Sequence, residues 1–154
     1  MSVEAIVIQS GGGKTLSLRG TEIAYKAEGE RPGGGPTFFE FIAAPGFSTG
    51  DHIHSKIEEI FYVVDGEFQI RAGDRSITAH SGDFVLVPPG VPHGFGNPSD
   101  GPAKMVLLIS PAAVHERYFE ELAEILATPG APDIQAISEL RRRYDTEQVS
   151  PLTA

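Results

Sequence analysis

Residues 46–66 read GFSTGDHIHSKIEEIFYVVDG and contain His52, His54 and Glu59; a further histidine, His93, follows 34 residues after the glutamate. On an extended strand His52 and His54 point the same way, because they are two residues apart. Three imidazoles and one carboxylate suit a divalent transition metal that keeps open coordination positions. The sequence therefore predicts one metal centre, at which small-molecule chemistry takes place.

The second informative stretch, residues 82–97, reads GDFVLVPPGVPHGFGN and follows the first after fifteen residues. As spacing, the two stretches are G-x5-H-x-H-x4-E-x6-G and G-x5-P-x-G-x2-H-x3-N. Together they closely resemble the two signature motifs of the cupin superfamily, complete and in order. The resemblance implies a small double-sheet β-barrel. It also implies a metal held by His52, His54, Glu59 and His93.

The rest of the chain supports an all-β fold. Short apolar segments separated by 18 glycines and 12 prolines are typical of a sandwich or barrel. Asp65-Gly66 predicts a hairpin, Ala72-Gly73-Asp74 predicts a second turn, and Glu30–Pro36 reads as a loop. Strands are predicted over Ala5–Ile8, Thr15–Leu18, Glu22–Lys26, Thr37–Ala43, Glu59–Val64, Glu67–Arg71, Ser76–Thr78, Asp83–Val87 and Lys104–Ile109.

The C-terminal part of the chain reads as two helices. Ser110-Pro111 predicts an N-cap followed by proline in the first turn, and Pro132 or Asp133 opens a second helix. The basic run Arg141–Arg143 would complement the dipole at the end of that helix. The predicted apolar stripes are Val114, Tyr118, Leu122, Ile125 and Leu126 in the first helix, and Ile134, Ile137, Leu140 and Tyr144 in the second.

The predicted fold class is therefore all-β, a cupin double-stranded β-helix (a jelly-roll-like barrel) with two C-terminal α-helices. We expect the barrel to occupy residues 1–110, with the metal motifs at 46–66 and 82–97. Residues 111–154 are expected to form a helical extension that packs on the barrel or on a partner subunit.

Strand alternation decides between neighbouring candidate side chains. Glu58 and Glu59 face opposite sides of a strand. The resemblance to the cupin motif, in which the glutamate precedes the glycine by this spacing, implies that Glu59 is the ligand. His80 and His115 match neither motif, so we expect structural or solvated histidines with no catalytic role.

Aromatic side chains near the motifs predict an apolar substrate pocket. Phe41, Phe61, Phe95 and Met105 are its candidate lining residues, although core packing is the more common role of such side chains. An aromatic lining favours a planar, hydrophobic ligand. A sugar phosphate would need basic groups near the metal, and the nearby candidates are only Lys56 and Arg71.

Composition excludes several classes of function. The chain has 154 residues and a formal net charge of −9, which disfavours nucleic-acid binding. Cysteine is absent, so disulfides, thiolate catalysis and iron–sulfur clusters are excluded. Neither a signal peptide nor a membrane-spanning stretch is visible. We expect a cytoplasmic protein.

A second resemblance concerns the reaction. Residues 114–122, VHERYFEEL, are similar to the post-barrel helix of small bacterial quercetinase-like monocupins. That resemblance implies a dioxygenase that opens a ring of an aromatic, flavonol-like or enol substrate, with Glu59 as general base. The metal would be Fe, Mn, Co, Ni, Cu or Zn, which the ligand set does not distinguish.

Two other functions remain open on the same residues. One is a non-oxidative isomerase, cyclase or decarboxylase, in which the metal stabilises an enolate without consuming oxygen. The other is a small-molecule-binding module without turnover. In each case the expected partners are a small, aromatic molecule and a second copy of the chain in a homodimer, without nucleic acid or membrane.

Overall fold

A computed structural model of the protein describes residues 4–31, 34–111 and 115–150. Within those ranges most of the regular structure is strand, as the sequence predicts. The strands are β1 Lys14–Leu18, β2 Thr21–Ala27, β3 Thr37–Ala43, β4 His52–Ile53, β5 Glu58–Asp65, β6 Glu67–Ala72, β7 Arg75–His80, β8 Phe84–Val87, β9 His93–Gly96, β10 Ala103–Ser110 and β11 Glu147–Gln148, and the helices are α1 Glu116–Ala127 and α2 Ile134–Arg143.

Two antiparallel sheets enclose the core. The larger sheet has the strand order β1-β2-β3-β10-β5-β8 and the smaller has β11-β4-β9-β6-β7. Along β3 and β10, buried side chains alternate with half-buried ones, because successive residues face opposite sides of a sheet. Phe39 and Leu107, which are register partners, are buried on that inner face. The double-sheet architecture predicted from the motifs is confirmed.

The Asp65-Gly66 turn joins the two sheets, and the predicted hairpin is wrong. β5 pairs with β10 and β8, whereas β6 pairs with β7 and β9 in the other sheet. Gly66 has φ +75°, and a Cβ on it would lie 2.9 Å from Cα of Ala103. Glycine is therefore required at this corner. The predicted turn at Ala72-Gly73-Asp74 does join a hairpin, with Ala72 opposite Arg75.

A second corner brings the chain back towards the site. The turn at Pro88-Pro89-Gly90 separates β8 in the larger sheet from β9 in the smaller one. The Gly90 amide donates to the His54 carbonyl at 2.7 Å. This contact ties the segment that precedes His93 to the segment that carries His54.

The N-terminal prediction fails. Ala5–Ile8 is not a strand, and the side chains of Ile6 and Val7 are exposed. No described strand pairs with this segment, and β-branched residues do not form a stable strand without a partner edge. Of the predicted loop Glu30–Pro36, residues 32 and 33 lie outside the described ranges.

The helices close one side of the barrel. Ser110 belongs to β10, and α1 starts only at Glu116 with His115 as N-cap, so the predicted cap at Ser110 is wrong. Val114 lies outside the described residues. α2 begins after Asp133, whose side chain accepts from the Ala136 amide at 2.9 Å, as predicted.

Both helices pack against the barrel core through half-buried and buried apolar side chains. Neither helix in the described part of the chain is long and apolar enough to cross a lipid bilayer.

Candidate metal centre

The four predicted ligands meet inside the barrel. His52 lies on β4 opposite His93 on β9, His54 follows β4, and Glu59 lies on β5 of the other sheet. One ligand atom from each residue falls within 4.8 Å of all the others. All four side chains are buried, whereas the neighbouring Glu58 is half-exposed, as strand alternation predicts.

The outer nitrogen of each histidine is held by a backbone carbonyl. Nδ1 of His52 lies 3.1 Å from the Gly50 carbonyl oxygen, and Nδ1 of His93 lies 2.9 Å from that of Val91. Nδ1 of His54 lies 2.8 Å from the carbonyl oxygen of residue 145. Because a carbonyl only accepts, each Nδ1 is the donor, and each Nε2 keeps its lone pair for the centre of the site.

The carboxylate faces two of those inner nitrogens. Glu59 Oε2 lies 3.1 Å from Nε2 of His93, and Oε1 lies 3.3 Å from Nε2 of His54. Neutral imidazoles with protonated Nδ1 atoms would make both contacts acceptor-to-acceptor. A cation between these groups, or a proton on a ring, relieves the repulsion. The donor set and the geometry therefore fit a divalent transition metal.

The site's electrostatics agree with that fit. Burial raises the pKa of Glu59, but the contacts with His54 and His93 outweigh it and hold the pKa well below its ordinary value. Burial lowers the pKa of His54, but Glu59 reverses the effect and the net shift is upward. Burial lowers the pKa of His52 to about 3. The ionised Glu59 carboxylate thus lies beside imidazole rings that disfavour each other's protonation.

A cavity of about 380 Å³ opens onto these ligands. This volume is at the lower end of the range for small-molecule sites. His52, His54 and Glu59 form part of its wall. Most of the remaining wall is apolar and comes from both the barrel and the helices, as shown by Phe41, Phe95, Leu107, Phe119, Leu122 and Ile137.

The predicted pocket residues divide into two pairs. Phe41 and Phe95 line the cavity, whereas Phe61 and Met105 do not and are fully buried in the core. The Phe61 ring packs 5.3 Å from the Phe95 ring and 6.4 Å from that of His93. Parity along a strand predicts an inward direction, but it does not predict which inward side chains reach the cavity.

His115 is buried beside the metal ligands and lines the cavity, whereas the expectation that it has no catalytic role stays a prediction. Its ring centroid lies 5.3 Å from that of His54 and 4.5 Å from that of Tyr118, and the side chain is 3% exposed. Burial lowers the pKa of His115 to about 3. His80 is exposed and lies 3.5 Å from Glu67, away from the described metal cluster.

Arg141 is buried against the cavity and does more than complement a helix dipole. It donates to the Thr49 carbonyl at 3.0 Å, to the Tyr118 hydroxyl at 3.2 Å and to the Gln148 side chain. No carboxylate of the described residues forms an ion pair with it. The sequence did indicate that Arg141 could be buried, because Arg141 follows Ile137 by four residues and therefore lies on the same helical face.

The segment after α2 supports the metal ligands. β11 pairs with β4, so that Gln148 lies opposite His52. Asp145 supplies the carbonyl that accepts from His54, and its carboxylate accepts from the amides of Ser55 at 3.1 Å and Lys56 at 2.8 Å. Nothing local in the sequence pattern marks this role of Asp145, which was therefore not predicted.

Sequence comparison gives one family and several partial relatives. Residues 39–109 match the Cupin_2 family, described as "Cupin domain". Protein SchB of Streptomyces halstedii is 32% identical over 72 residues, which are 47% of this chain and 52% of that protein. Polyketide synthase CurC of Streptomyces cyaneus is 31% identical over 72 residues, 47% of each chain. The chain therefore spans about half the length of these curated relatives.

Structural comparison shows the same fold. KdgF from Halomonas sp. has a TM-score of 0.62 at 17% identity, covering 70% of this chain and 94% of that one. A predicted oxalate decarboxylase from Thermotoga maritima has a TM-score of 0.59 at 23% identity, with 67% and 96% coverage. An RmlC-like cupin from Shewanella frigidimarina has a TM-score of 0.58 at 22% identity, covering 69% of this chain and 91% of that one.

Proposed function

We propose that the chain is a member of the cupin superfamily and a metal-dependent dioxygenase acting on a small aromatic or enol substrate, on the basis of the match of residues 39–109 to the cupin domain. One observation carries the proposal. A partly open, largely apolar cavity of about 380 Å³ adjoins a buried cluster of three histidines and a glutamate. This volume suits a small aromatic molecule that reaches the ligands with a polar edge.

The charges around the cavity support an anionic, phosphate-free substrate. Arg141 places a buried positive charge beside the cavity without a carboxylate partner among the described residues, which favours an enolate or phenolate. Arg19 also lines the cavity, but it donates to the carbonyls of Leu126 and Thr128 at the C-terminal end of α1. Arg71 pairs with Asp51 at the surface and does not line this cavity.

Each part of the site has a proposed task. A divalent transition metal held by the four ligands would supply positive charge and open coordination positions beside the cavity. Phe41 and Phe95 would hold the ring of the substrate and exclude water. Glu59 is the candidate proton acceptor. Because its pKa is held well below the ordinary value, it is ionised but weakly basic, so it suits the acidic hydroxyl of an enol or phenol.

The test combines metal analysis with oxygen uptake. The purified protein is loaded with Fe, Mn, Co, Ni, Cu or Zn in turn, and its metal content is measured. Each form is then assayed in an oxygen electrode with a panel of flavonols and hydroxynaphthalenes. The proposal expects about one ion per chain and oxygen uptake with a redox-active metal. Full metal occupancy without uptake on any substrate would contradict the dioxygenase assignment.

The second candidate is a non-oxidative isomerase, cyclase or decarboxylase. The similarity to a protein named polyketide synthase favours it, because polyketides are rich in enols and phenols that can rearrange without oxygen. The same panel, incubated anaerobically, separates the two. Product formation without oxygen would favour this candidate, whereas binding without any product would favour a non-catalytic module.

A further inference from the structure

Arg141 is a cation of the cavity wall whose charge the fold does not neutralise. It is 7% exposed, and it lies with Thr49 and Tyr118 among the residues that line the cavity. Its hydrogen bonds run to neutral groups, which are the Thr49 carbonyl at 3.0 Å, the Tyr118 hydroxyl at 3.2 Å and the Gln148 side chain. No ion pair of the described residues includes it. Such a charge is costly, because no opposite charge offsets its desolvation.

The guanidinium group of Arg141 keeps hydrogen-bond donors for a further acceptor. A guanidinium carries five N–H groups, and the three neutral acceptors take one from each nitrogen. Within the described part of the chain, one N–H of Nη1 and one of Nη2 therefore have no acceptor. An anion with two oxygens matches two donors on one planar group, and a carboxylate is such an anion.

The charge of the cavity wall points to the same class of ligand. The whole chain carries a net charge of −9, yet Glu59 is the single acidic residue among those that line the cavity. Glu59 faces His54 and His93 and belongs to the candidate metal centre, so it is not available to Arg141. Arg19 adds a second positive charge to the wall. A bound divalent cation would make this wall more positive still, which favours a ligand with more than one anionic group.

We propose that Arg141 binds a carboxylate group of the substrate, at a point separate from the metal. The substrate class is then a hydroxylated aromatic or enolic carboxylic acid. An enolate or phenolate oxygen that reaches the metal leaves Arg141 unpaired, whereas a second anionic group pairs it. The inference deepens the proposed function and rests on it for the oxygen at the metal, but it does not depend on the use of dioxygen.

The test measures how tightly the metal-loaded protein binds 3-hydroxybenzoate, 4-hydroxybenzoate and phenol, by isothermal titration calorimetry. The two acids differ from phenol by one carboxylate and place it at different distances from the hydroxyl. Wild type is expected to bind at least one acid about 10- to 100-fold more tightly than phenol, the range for hydrogen bonds to a charged group. Arg141→Met removes the charge and the donors, and is expected to abolish that preference.

The metal content of Arg141→Met, measured by elemental analysis, should remain that of wild type, because Arg141 hydrogen-bonds to none of the four metal ligands. Arg141→Lys keeps the charge but loses the planar pair of donors, so it should retain part of the preference. This variant also covers the case in which Arg141→Met does not fold. Arg142→Met is the matched control, since it removes an exposed arginine from the same helix and should behave as wild type.

Two results would overturn the assignment of Arg141. An undiminished preference in Arg141→Met would show that the carboxylate binds elsewhere, for example at the metal. An equal loss in Arg142→Met would show that only the general positive charge of the helix matters. A loss of metal from Arg141→Met would also contradict it, because the residue would then support the metal centre.

Failure of this inference and failure of the proposed function give different results. If wild type binds neither acid more tightly than phenol, the inference is wrong, and the oxygen-uptake test of the proposed function is unaffected. If acids bind through Arg141 but no substrate consumes oxygen, the dioxygenase assignment is wrong and the role of Arg141 stands.

Discussion

The barrel and the C-terminal segment contribute different things to one site. The barrel, within residues 39–109, supplies the metal ligands on two motifs shared with the cupin domain. The segment 115–150 lies outside that family match, yet it supplies His115, Tyr118 and Arg141 to the cavity wall.

This difference separates the metal ligands, which belong to the matched domain, from the parts of the cavity wall that are particular to this chain. A metal site needs a fixed number of donors at fixed distances, so motif spacing encodes it. A cavity wall requires a shape that matches the ligand and a few polar groups. The segments that pack over the opening supply both. What distinguishes this protein from others that contain the same matched domain is therefore expected to lie in the helices and in β11.

The largest effect is expected from removing a ligand on the barrel side. His93→Ala deletes one of three imidazoles and leaves Glu59 without one of its two partners. Metal affinity should fall by at least about 100-fold, and added metal should no longer raise the melting temperature. Equilibrium dialysis with elemental analysis and a thermal-shift assay provide the measurements. His80→Ala is the matched control, and equal metal occupancy in both variants would show that the ligand set is wrong.

A smaller effect on the same metal is expected from the C-terminal side. Asp145 has φ +54° and holds the carbonyl that orients His54. Asp145→Ala removes the carboxylate that ties this turn to Ser55 and Lys56. Metal affinity should fall by about 10-fold, measured by competition with a chelator.

Asp145→Asn is the control for that experiment. Asparagine tolerates a positive φ and keeps an oxygen acceptor, so it should recover most of the affinity. If Asp145→Ala bound the metal as tightly as wild type, the C-terminal segment would have no part in the metal centre, and the two regions would be independent.

The acid sensitivity of the metal-free protein gives a third comparison. Burial lowers the pKa of His115 from 6.5 to about 3, so below pH 6.5 the unfolded chain binds a proton that the folded chain does not. Stability from this residue is complete above pH 6.5 and is lost as the pH falls towards 3, at about 1.4 kcal/mol per pH unit.

His115→Phe should therefore show a shallower loss of unfolding free energy between pH 6 and 4. Urea denaturation at several pH values measures it, and the contribution of His52, which is shifted in the same direction, remains in both proteins. Parallel stability curves for the variant and wild type would contradict the buried, neutral state of His115.

The sequence predicted the ligand set because its two stretches resemble the cupin motifs, and strand alternation gave the common direction of His52 and His54. His52, His54, Glu59 and His93 are brought together as expected. The hairpin at Asp65-Gly66 was wrong for a related reason. A dipeptide specifies the local backbone of a turn, but the ladders formed by β10 and β9 decide which sheet each strand joins.

The roles of His115, Arg141 and Asp145 could not be predicted in the same way. Each depends on how a helix or turn packs over the barrel, and contacts across 90 or so residues leave no local periodicity. Arg141 was assigned to the helix dipole because three consecutive arginines in a last turn satisfy that explanation without any tertiary contact.

The most direct test of the account is a crystal structure of the metal-loaded protein, with anomalous diffraction collected at the absorption edge of the metal. One anomalous peak per chain is expected, about 2.0–2.2 Å from Nε2 of His52, His54 and His93 and from a carboxylate oxygen of Glu59. A peak at another position, or no peak after loading, would contradict the central claim that these four residues form a metal centre.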